Sequence, residues 1–415
     1  MVDAAVIFSA VAGIIVIGFA GEFFMKKTGI PIFIFLIATG IILGPVLNIF
    51  PRDNLLPVLA LFATLTVLMV LFYGGLGLKS QSVVKIGART VIQAALYVLT
   101  STALIGVLGI LVLGWDPLQS FIFASMIGGE TTAAVVVPLS YSMKLKENTV
   151  AFLTMESGIN SVFSIVLFST FMGIYTTGES GNWFNAITNM TAQFSVGIIL
   201  GVLLGIAWVY ILYRFQKQKF TYVLTLAFIL ITYGLTEQVG GNGTLAVLIF
   251  GMVLGNYYLI NKIFKTKMNM DDLQIRLKSF YEEISFLLET LFFVSLGLTL
   301  LIDWSFIMVS VLSSVMFLAV LLFSRFAATR VSTFRSELSE ERRLIVMMCA
   351  QGLIPATLAI LAVTFELPLA NTFVNIVTYV IILTNVVTTV GAILYRRRHG
   401  ELYNAMPEVE ANKLA

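Results

Sequence analysis

Apolar residues along this chain come in long, nearly unbroken runs separated by short polar segments. A helix that crosses a bilayer needs about 20 consecutive apolar residues. Runs of that kind fall near 4–23, 31–50, 55–77, 88–114, 117–140, 148–176, 185–213, 220–237, 242–260, 284–302, 304–329, 343–365 and 368–395. The pattern predicts an all-α polytopic membrane protein of about 13 transmembrane helices. Two of the runs are interrupted. GGETTAAVVVPLS, residues 128–140, lies in the fifth, and AQGLIPATLA, residues 350–359, lies in the twelfth. Split as six, one and six, the chain has an interruption in the fifth span of each half. Halves of opposite topology with matching broken helices point to a transporter's binding site. Unwound backbone survives at membrane depth only when buried or lining a cavity. The plainer reading is that glycine and proline are common in membrane helices.

Composition and charge sharpen this picture. Of 415 residues, 59% are hydrophobic and 11% charged, where a soluble domain carries about 25% charged residues. Of the 25 lysines and arginines, 23 fall in alternate loops that share one side if the N-terminus is outside. Arg52 falls in an outer loop and Arg325 within a span. The positive-inside rule then places the N-terminus outside and the C-terminus in the cytoplasm, with the basic loops facing anionic lipid rather than nucleic acid. Residues 4–23 have no basic leader and no small-residue cleavage site, and read as a retained span. Cys349 is the single cysteine and His399 the single histidine, so a disulfide framework, a Cys/His metal cluster and histidine catalysis are not expected. No phosphate-binding loop is present, GGNG (240–243) reads as a turn between spans, and no cofactor is expected.

The chemistry rests on charges that stand deep in the membrane: Glu130, Glu156, Glu289 and Arg325. A charge at that depth costs about 2.5–3.5 kcal/mol on insertion scales. In MESGINSVFSIVL (155–167), Glu156 and Asn160 are i and i+4, so they share a helix face with Ser157 and Ser161 alongside. Arg325 cannot readily lose its proton and needs an anion, for which Glu156 is the candidate. Such a pair serves either to pin two helices or to act in transport, and a carboxylate held by arginine is a poor proton carrier. Glu130 has no basic residue near it in its own helix. A carboxylate without a counter-charge in a dry setting holds its proton more readily. With Thr131, Thr132 and carbonyls freed by the break, it offers hard oxygens to a dehydrated monovalent cation. The competing reading is a carboxylate that caps a broken half-helix. Glu289 lies about two turns into its span, where a structural partnership with a neighbouring helix is the simpler role.

At this point the chain resembles the monovalent cation/proton antiporters, the group of sodium/proton exchangers and Kef-like potassium/proton transporters. KKTGIPIFIFLIATGIILGP (26–45) looks like the second span of that family and LFYGGLGL (71–78) like its third. GGNGTLAVLIFGMVLGN (240–256) and FFVSLGL (292–298) are similar to its second half, and ESGIN (156–160) to its ion-site helix. The resemblance implies a homodimer working by an elevator motion. Scaffold helices would occupy 1–86 and 220–302, a transport core 87–176 and 303–397, a linker helix 177–219 and a cytoplasmic tail 398–415. It also implies that Glu156 and Arg325 pair.

Several positions depart from the family pattern. The aspartate that usually follows the asparagine is Ser161, and the threonine-aspartate pair of the first broken helix is Thr131-Thr132. The acid before the glycine pair of the third span is Tyr73, and the arginine of the second broken helix is Gln351. One reading is a working exchanger of Na+ or K+ for H+ whose carboxylate has moved to Glu130. Thr131, Thr132, Asn160, Ser157 and Ser161 would supply neutral oxygens, the cation would sit at Glu130, Thr131 and Asn160, and Tyr73, Gln351 and Glu289 would be accessory. A single exchanging carboxylate predicts one proton per cation and no net charge moved. The other reading is a chain that kept the fold but carries another solute, or serves as a non-transporting membrane subunit or sensor.

Overall fold

The computed structural model describes residues 4–28, 31–47, 52–78, 80–177, 183–215, 218, 220–265, 268–300 and 304–404. All regular structure among these residues is helical. The first half runs α1 (Ala4–Thr28), α2 (Ile32–Ile41), α3 (Arg52–Gly77), α4 (Ser80–Leu111), α5 (Pro117–Ile127), α6 (Ala133–Ser142) and α7 (Glu147–Thr177). After α8 (Trp183–Phe215), the second half runs α9 (Thr221–Gln238), α10 (Gly243–Gly255), α11 (Tyr257–Phe264), α12 (Asp271–Thr299) and α13 (Trp304–Ser332). It closes with α14 (Arg342–Met347), α15 (Leu353–Thr364) and α16 (Ala370–Asn404).

Five of the described helices are long and apolar enough to cross a membrane, and α10 with α11 makes a sixth, bent by 69°. Further apolar helices of 10–17 residues lie within α1, α3, α5 and α15 and over Ile32–Val46, which is α2 with the turn that follows it. Length and composition of the helices therefore do not by themselves reach the thirteen spans expected from the sequence. Two boundaries differ for clear physical reasons. The run at 284–302 is only the apolar end of α12, which starts at Asp271. Its first turns are amphipathic, with Leu273, Leu277 and Tyr281 buried beside exposed Asp272, Arg276 and Glu282. The run at 242–260 is broken at Asn256, whose side-chain amide donates to the Leu78 and Met252 carbonyls at 2.6 and 2.8 Å.

The helices pack in two groups. In one, α4 lies against α5, α7 and α13, α13 against α16, and α15 against α16 and α5. Phe123 anchors it, with Trp115, Phe317 and Phe373 ring centroids 5.1–5.2 Å away. In the other, α3 lies against α10 and α12, α10 against α8 and α9, and α12 against α1 and α2. The groups meet where α15 packs on α3 and α7 on α8. On the side of the α6–α7 connection, Lys146 is paired with Glu340 and the Asn148 amide donates to Glu337 at 2.9 Å. Both acids sit on the α13–α14 connection.

Glycines set the tightest helix contacts in the second group, as small residues do when helices associate without water's help. A Cβ built on Gly40 of α2 would stand 2.8 Å from the Gly297 Cα and 2.9 Å from the Leu298 nitrogen of α12. Gly75, Gly251 and Gly255 do the same between α3 and α10, each facing a backbone carbonyl of the other helix. Gly40→Val is expected to lower stability by at least about 1–3 kcal/mol, the range of overpacking in a close-packed interior. Gly74→Ala, at a position open to at least 4 Å, should leave the thermal midpoint in detergent unchanged. Equal midpoints for the two variants would refute the packing account.

Candidate functional site

Two breaks in helix pairs cross at the centre of the first group. The first separates α5 from α6 over 128–132, and the second separates α14 from α15 over 348–352. Asp116 starts α5 by accepting from the amides of Leu118 and Gln119, at 3.0 and 3.2 Å, with Pro117 in the first turn. The helix ends at Gly128. Gly129 then takes φ +77°, a left-handed conformation that glycine adopts without strain. A Cβ there would also meet the Val98 backbone of α4 at 2.6 Å. Glycine, not Pro138, makes this break, because Pro138 lies inside α6. Pro355 lies in the first turn of α15, where a missing N–H costs nothing.

Each break is held by the polar face of the last helix of its own half. On α7, the Ser157 hydroxyl donates to the Thr131 carbonyl at 2.6 Å, and the Asn160 amide donates to the Thr131 hydroxyl at 3.1 Å. On α16, Thr388 donates to the Met347 carbonyl at 3.0 Å and accepts from the Cys349 amide at 3.2 Å. Thr384 accepts from the Gln351 amide at 3.2 Å, and the Asn385 amide donates to the Gln351 carbonyl at 2.8 Å. These side chains replace the partners that unwinding removed, which is the condition for irregular backbone at membrane depth. Thr384, Asn385 and Thr388, which the sequence does not single out, are the side chains that hold the second break. Their signal was a polar face at i, i+1 and i+4 in an otherwise apolar run, the same device as Glu156 to Ser161 on α7.

The breaks touch each other directly. The Thr132 amide donates to the Ala350 carbonyl at 2.7 Å, and a Cβ on Gly352 would meet the Thr132 side chain at 2.9 Å. Glu130, only 1% exposed, precedes α6 and lies near the Gly352 backbone N–H at the start of α15. Its carboxylate thus stands at two helix N-termini, where the aligned peptide dipoles favour negative charge. Gln351 serves the opposite pole: its amide donates to the Ile127 carbonyl at the end of α5, at 2.6 Å. Four buried oxygens at or beside the crossover have no hydrogen-bond partner among the described residues: Glu130 Oε2, Asn160 Oδ1, Gln351 Oε1 and Asn385 Oδ1. All four are acceptors, and buried acceptors are ordinarily satisfied. A dehydrated monovalent cation is the kind of ligand such a set suits.

Other singled-out residues fall elsewhere. Arg325 of α13 donates bidentately to Glu156, Nη1 to Oε1 at 2.7 Å and Nη2 to Oε2 at 3.1 Å, with both side chains fully buried. Its Nε donates to the Ile345 carbonyl at 3.0 Å, and it lies over the Tyr97 ring at 5.0 Å. Gln93 adds a donor to Glu156 Oε1 at 3.2 Å. Ser161 is buried and donates to the Ser157 carbonyl of its own helix at 2.9 Å, so its hydroxyl is directed along α7. Tyr73 is half-buried on α3, packed against the apolar core of the second group. Glu289 is half-buried on α12 and makes no hydrogen bond or ion pair among the described residues.

The family model described as sodium/hydrogen exchanger, transmembrane, matches residues 10–395. The K(+)/H(+) antiporter NhaP2 of Shewanella baltica is 25% identical over 375 residues, covering 86% of this chain and 61% of that protein. The Na(+)/H(+) antiporter ApNhaP of Aphanothece halophytica is 26% identical over 168 residues, covering 40% of this chain and 31% of its own. The chain spans about three fifths of the length of the NhaP2 relatives it matches. The solved structure of the sodium proton antiporter MjNhaP1 from Methanocaldococcus jannaschii superimposes with a TM-score of 0.79. It is 18% identical, and the match covers 92% of this chain and 98% of that one. That likeness establishes the fold.

Proposed function

Because this chain belongs to the sodium/hydrogen exchanger family, and is an integral membrane protein, we propose that it exchanges a monovalent cation, Na+ or K+, for protons. The observation that carries this reading is the placement of Glu130. Its carboxylate lies at the crossover of the two breaks, in no ion pair among the described residues, with one oxygen lacking a hydrogen-bond partner among them. The second acid of the core, Glu156, is saturated by Arg325 and Gln93. One carboxylate is therefore left to take either a proton or a cation. In this reading the cation binds Glu130, Thr131 and Asn160, with Ser157, Thr132, Ser161 and Gln351 around them. Competition for one group couples the flows, because the site crosses the dry barrier cheaply only when neutralised. One proton then replaces one cation and no net charge moves.

The motion proposed is an elevator. The helices α4–α7 with α13–α16 would slide as a body against α1–α3 with α9–α12, in a homodimer whose N-termini lie outside the cell membrane. The two-group packing of the helices supports this division.

The test uses proteoliposomes loaded with a pH dye. Adding external NaCl or KCl should make the lumen alkaline with at least one of the two salts. Choline chloride should give no response, and clamping the membrane at different potentials should not change the rate. A response to neither salt would sink the exchange reading. It would favour the alternative that the Ser161 substitution motivates, a family member carrying another solute.

A further inference from the structure

A cavity of about 390 Å³ lies between the two helix groups, walled by α3, α7, α9, α10 and α15. The lining comes from the late turns of α7 and α9, the first turn of α10, the middle of α3 and the length of α15 beyond the second break. The cavity lies on the same side of the crossover as the C-terminal ends of α7 and α15. By the distribution of basic residues this is the outer side. Ile165 follows Ser161 by one turn of α7, and Ile354 follows Gly352 by two residues.

Two features mark it as more than a packing gap. Its mouth carries Glu237, the only charged side chain among the described residues lining it, together with Tyr233 and Thr244. Glu237 is exposed. One of its oxygens accepts from the Gly243 amide at 2.8 Å, which fixes the carboxylate at the mouth. The second feature is Thr357 of α15. It lines the cavity, is 4% exposed, and its hydroxyl has no hydrogen-bond partner among the described residues. A buried hydroxyl is ordinarily satisfied, so this one calls for a ligand oxygen, a water or a cation. Thr357 lies five residues past Gly352, roughly 7–8 Å along α15 at 1.5 Å per residue.

We infer that this cavity is an external access vestibule for monovalent cations. The Glu237 carboxylate is its capturing charge and the Thr357 hydroxyl its inner contact before the crossover. A single negative charge at a mouth with low-dielectric walls concentrates cations inside it. A charge held at the mouth, rather than at depth, attracts without trapping. The inference rests on the exchange reading for the fate of the cation, yet the vestibule can be tested without transport.

The experiment uses Cys349→Ser, which removes the single cysteine, as background for Thr357→Cys. Whole cells are treated with membrane-impermeant methanethiosulfonate reagents, one positively and one negatively charged. The cationic reagent should label Thr357→Cys from outside faster, on the order of tenfold, and adding Glu237→Gln should abolish that preference. Glutamine still accepts from the Gly243 amide, so a merely structural role would leave the ratio intact. Ser169→Cys, in the same cavity, gives a second reporter if Thr357→Cys does not fold. Equal rates for the two reagents, or no labelling at either position, overturn the vestibule. In proteoliposomes Glu237→Gln should also raise the half-saturating cation concentration by about tenfold. Charge-selective labelling in a protein that exchanges neither Na+ nor K+ would retain the vestibule and reject the exchange reading. The converse result would do the reverse.

Discussion

Replacing Glu130 by glutamine is expected to reduce cation-driven proton movement to the level of protein-free liposomes. The amide keeps the size of the side chain and an acceptor oxygen facing the Gly352 backbone N–H. What it loses is the ability to be either neutral with a proton or neutral with a cation. A cation bound beside glutamine must cross the barrier with its charge uncompensated, at a cost of about 3 kcal/mol. At 1.4 kcal/mol per tenfold change that is roughly a 100-fold loss, before the absence of a titrating proton is counted. Glu130→Asp, which keeps the charge but withdraws it by one methylene, should retain measurable exchange. Thermal stability of Glu130→Gln in detergent should no longer respond to added Na+ or K+, whereas the wild type should be stabilised by its cation more at high pH than at low, as competition requires. Exchange at the wild-type rate in Glu130→Gln would remove the proposed carrier. The fold assignment would be untouched by that result.

The sequence made the long helices visible because the bilayer imposes a coarse rule, an apolar run of fixed length. It was weakest where that rule does not act. The charged first turns of α12, from Asp271, have no apolar run to announce them, and the bend at Asn256 falls inside one. GGETT exposed the first break because glycine is the residue that tolerates the φ of +77° at Gly129. Pro138 in the same stretch lies inside α6 and makes no break, since proline is tolerated within membrane helices when neighbours supply partners.

For the site, the residues legible in advance were those whose chemistry is conspicuous alone: a carboxylate in a membrane span and a polar face on α7. Gln351 stood out as a substitution of arginine, but its work depends on reaching the Ile127 carbonyl 224 positions away in sequence. Asn385 and Thr384 looked like ordinary polar residues of the last span, and only the crossing of the two breaks shows what they hold. The partners of Glu156 are similarly distributed. Gln93 on α4 and Arg325 on α13 converge on it from opposite directions along the chain, and no local pattern connects them.

That convergence carries the second large effect. Arg325→Met should destabilise the protein by about 3–5 kcal/mol, the usual result of removing one member of a buried ion pair and leaving the other's charge behind. Glu156 would keep Gln93 as a donor, while its Oε2 would lose the Arg325 bond that holds it at 3.1 Å. Total stabilities of about 5–15 kcal/mol are typical, so the yield of folded protein should fall with the thermal midpoint. Glu156→Gln alone should be costly too, because the guanidinium stays buried without a counter-charge, beside the Ile345 carbonyl, the Tyr97 face and a neutral amide oxygen. The double variant Glu156→Gln with Arg325→Met has no net charge to strand, and Gln93 can still donate to the new amide oxygen. It should regain most of the lost stability and, if the pair only holds α7 to α13, cation-driven proton exchange through Glu130 as well. The discriminating result is a double variant that is stable, monodisperse and inactive. Exchange would then run through the Glu156–Arg325 pair, and the reading of Glu130 as the sole carrier would fall.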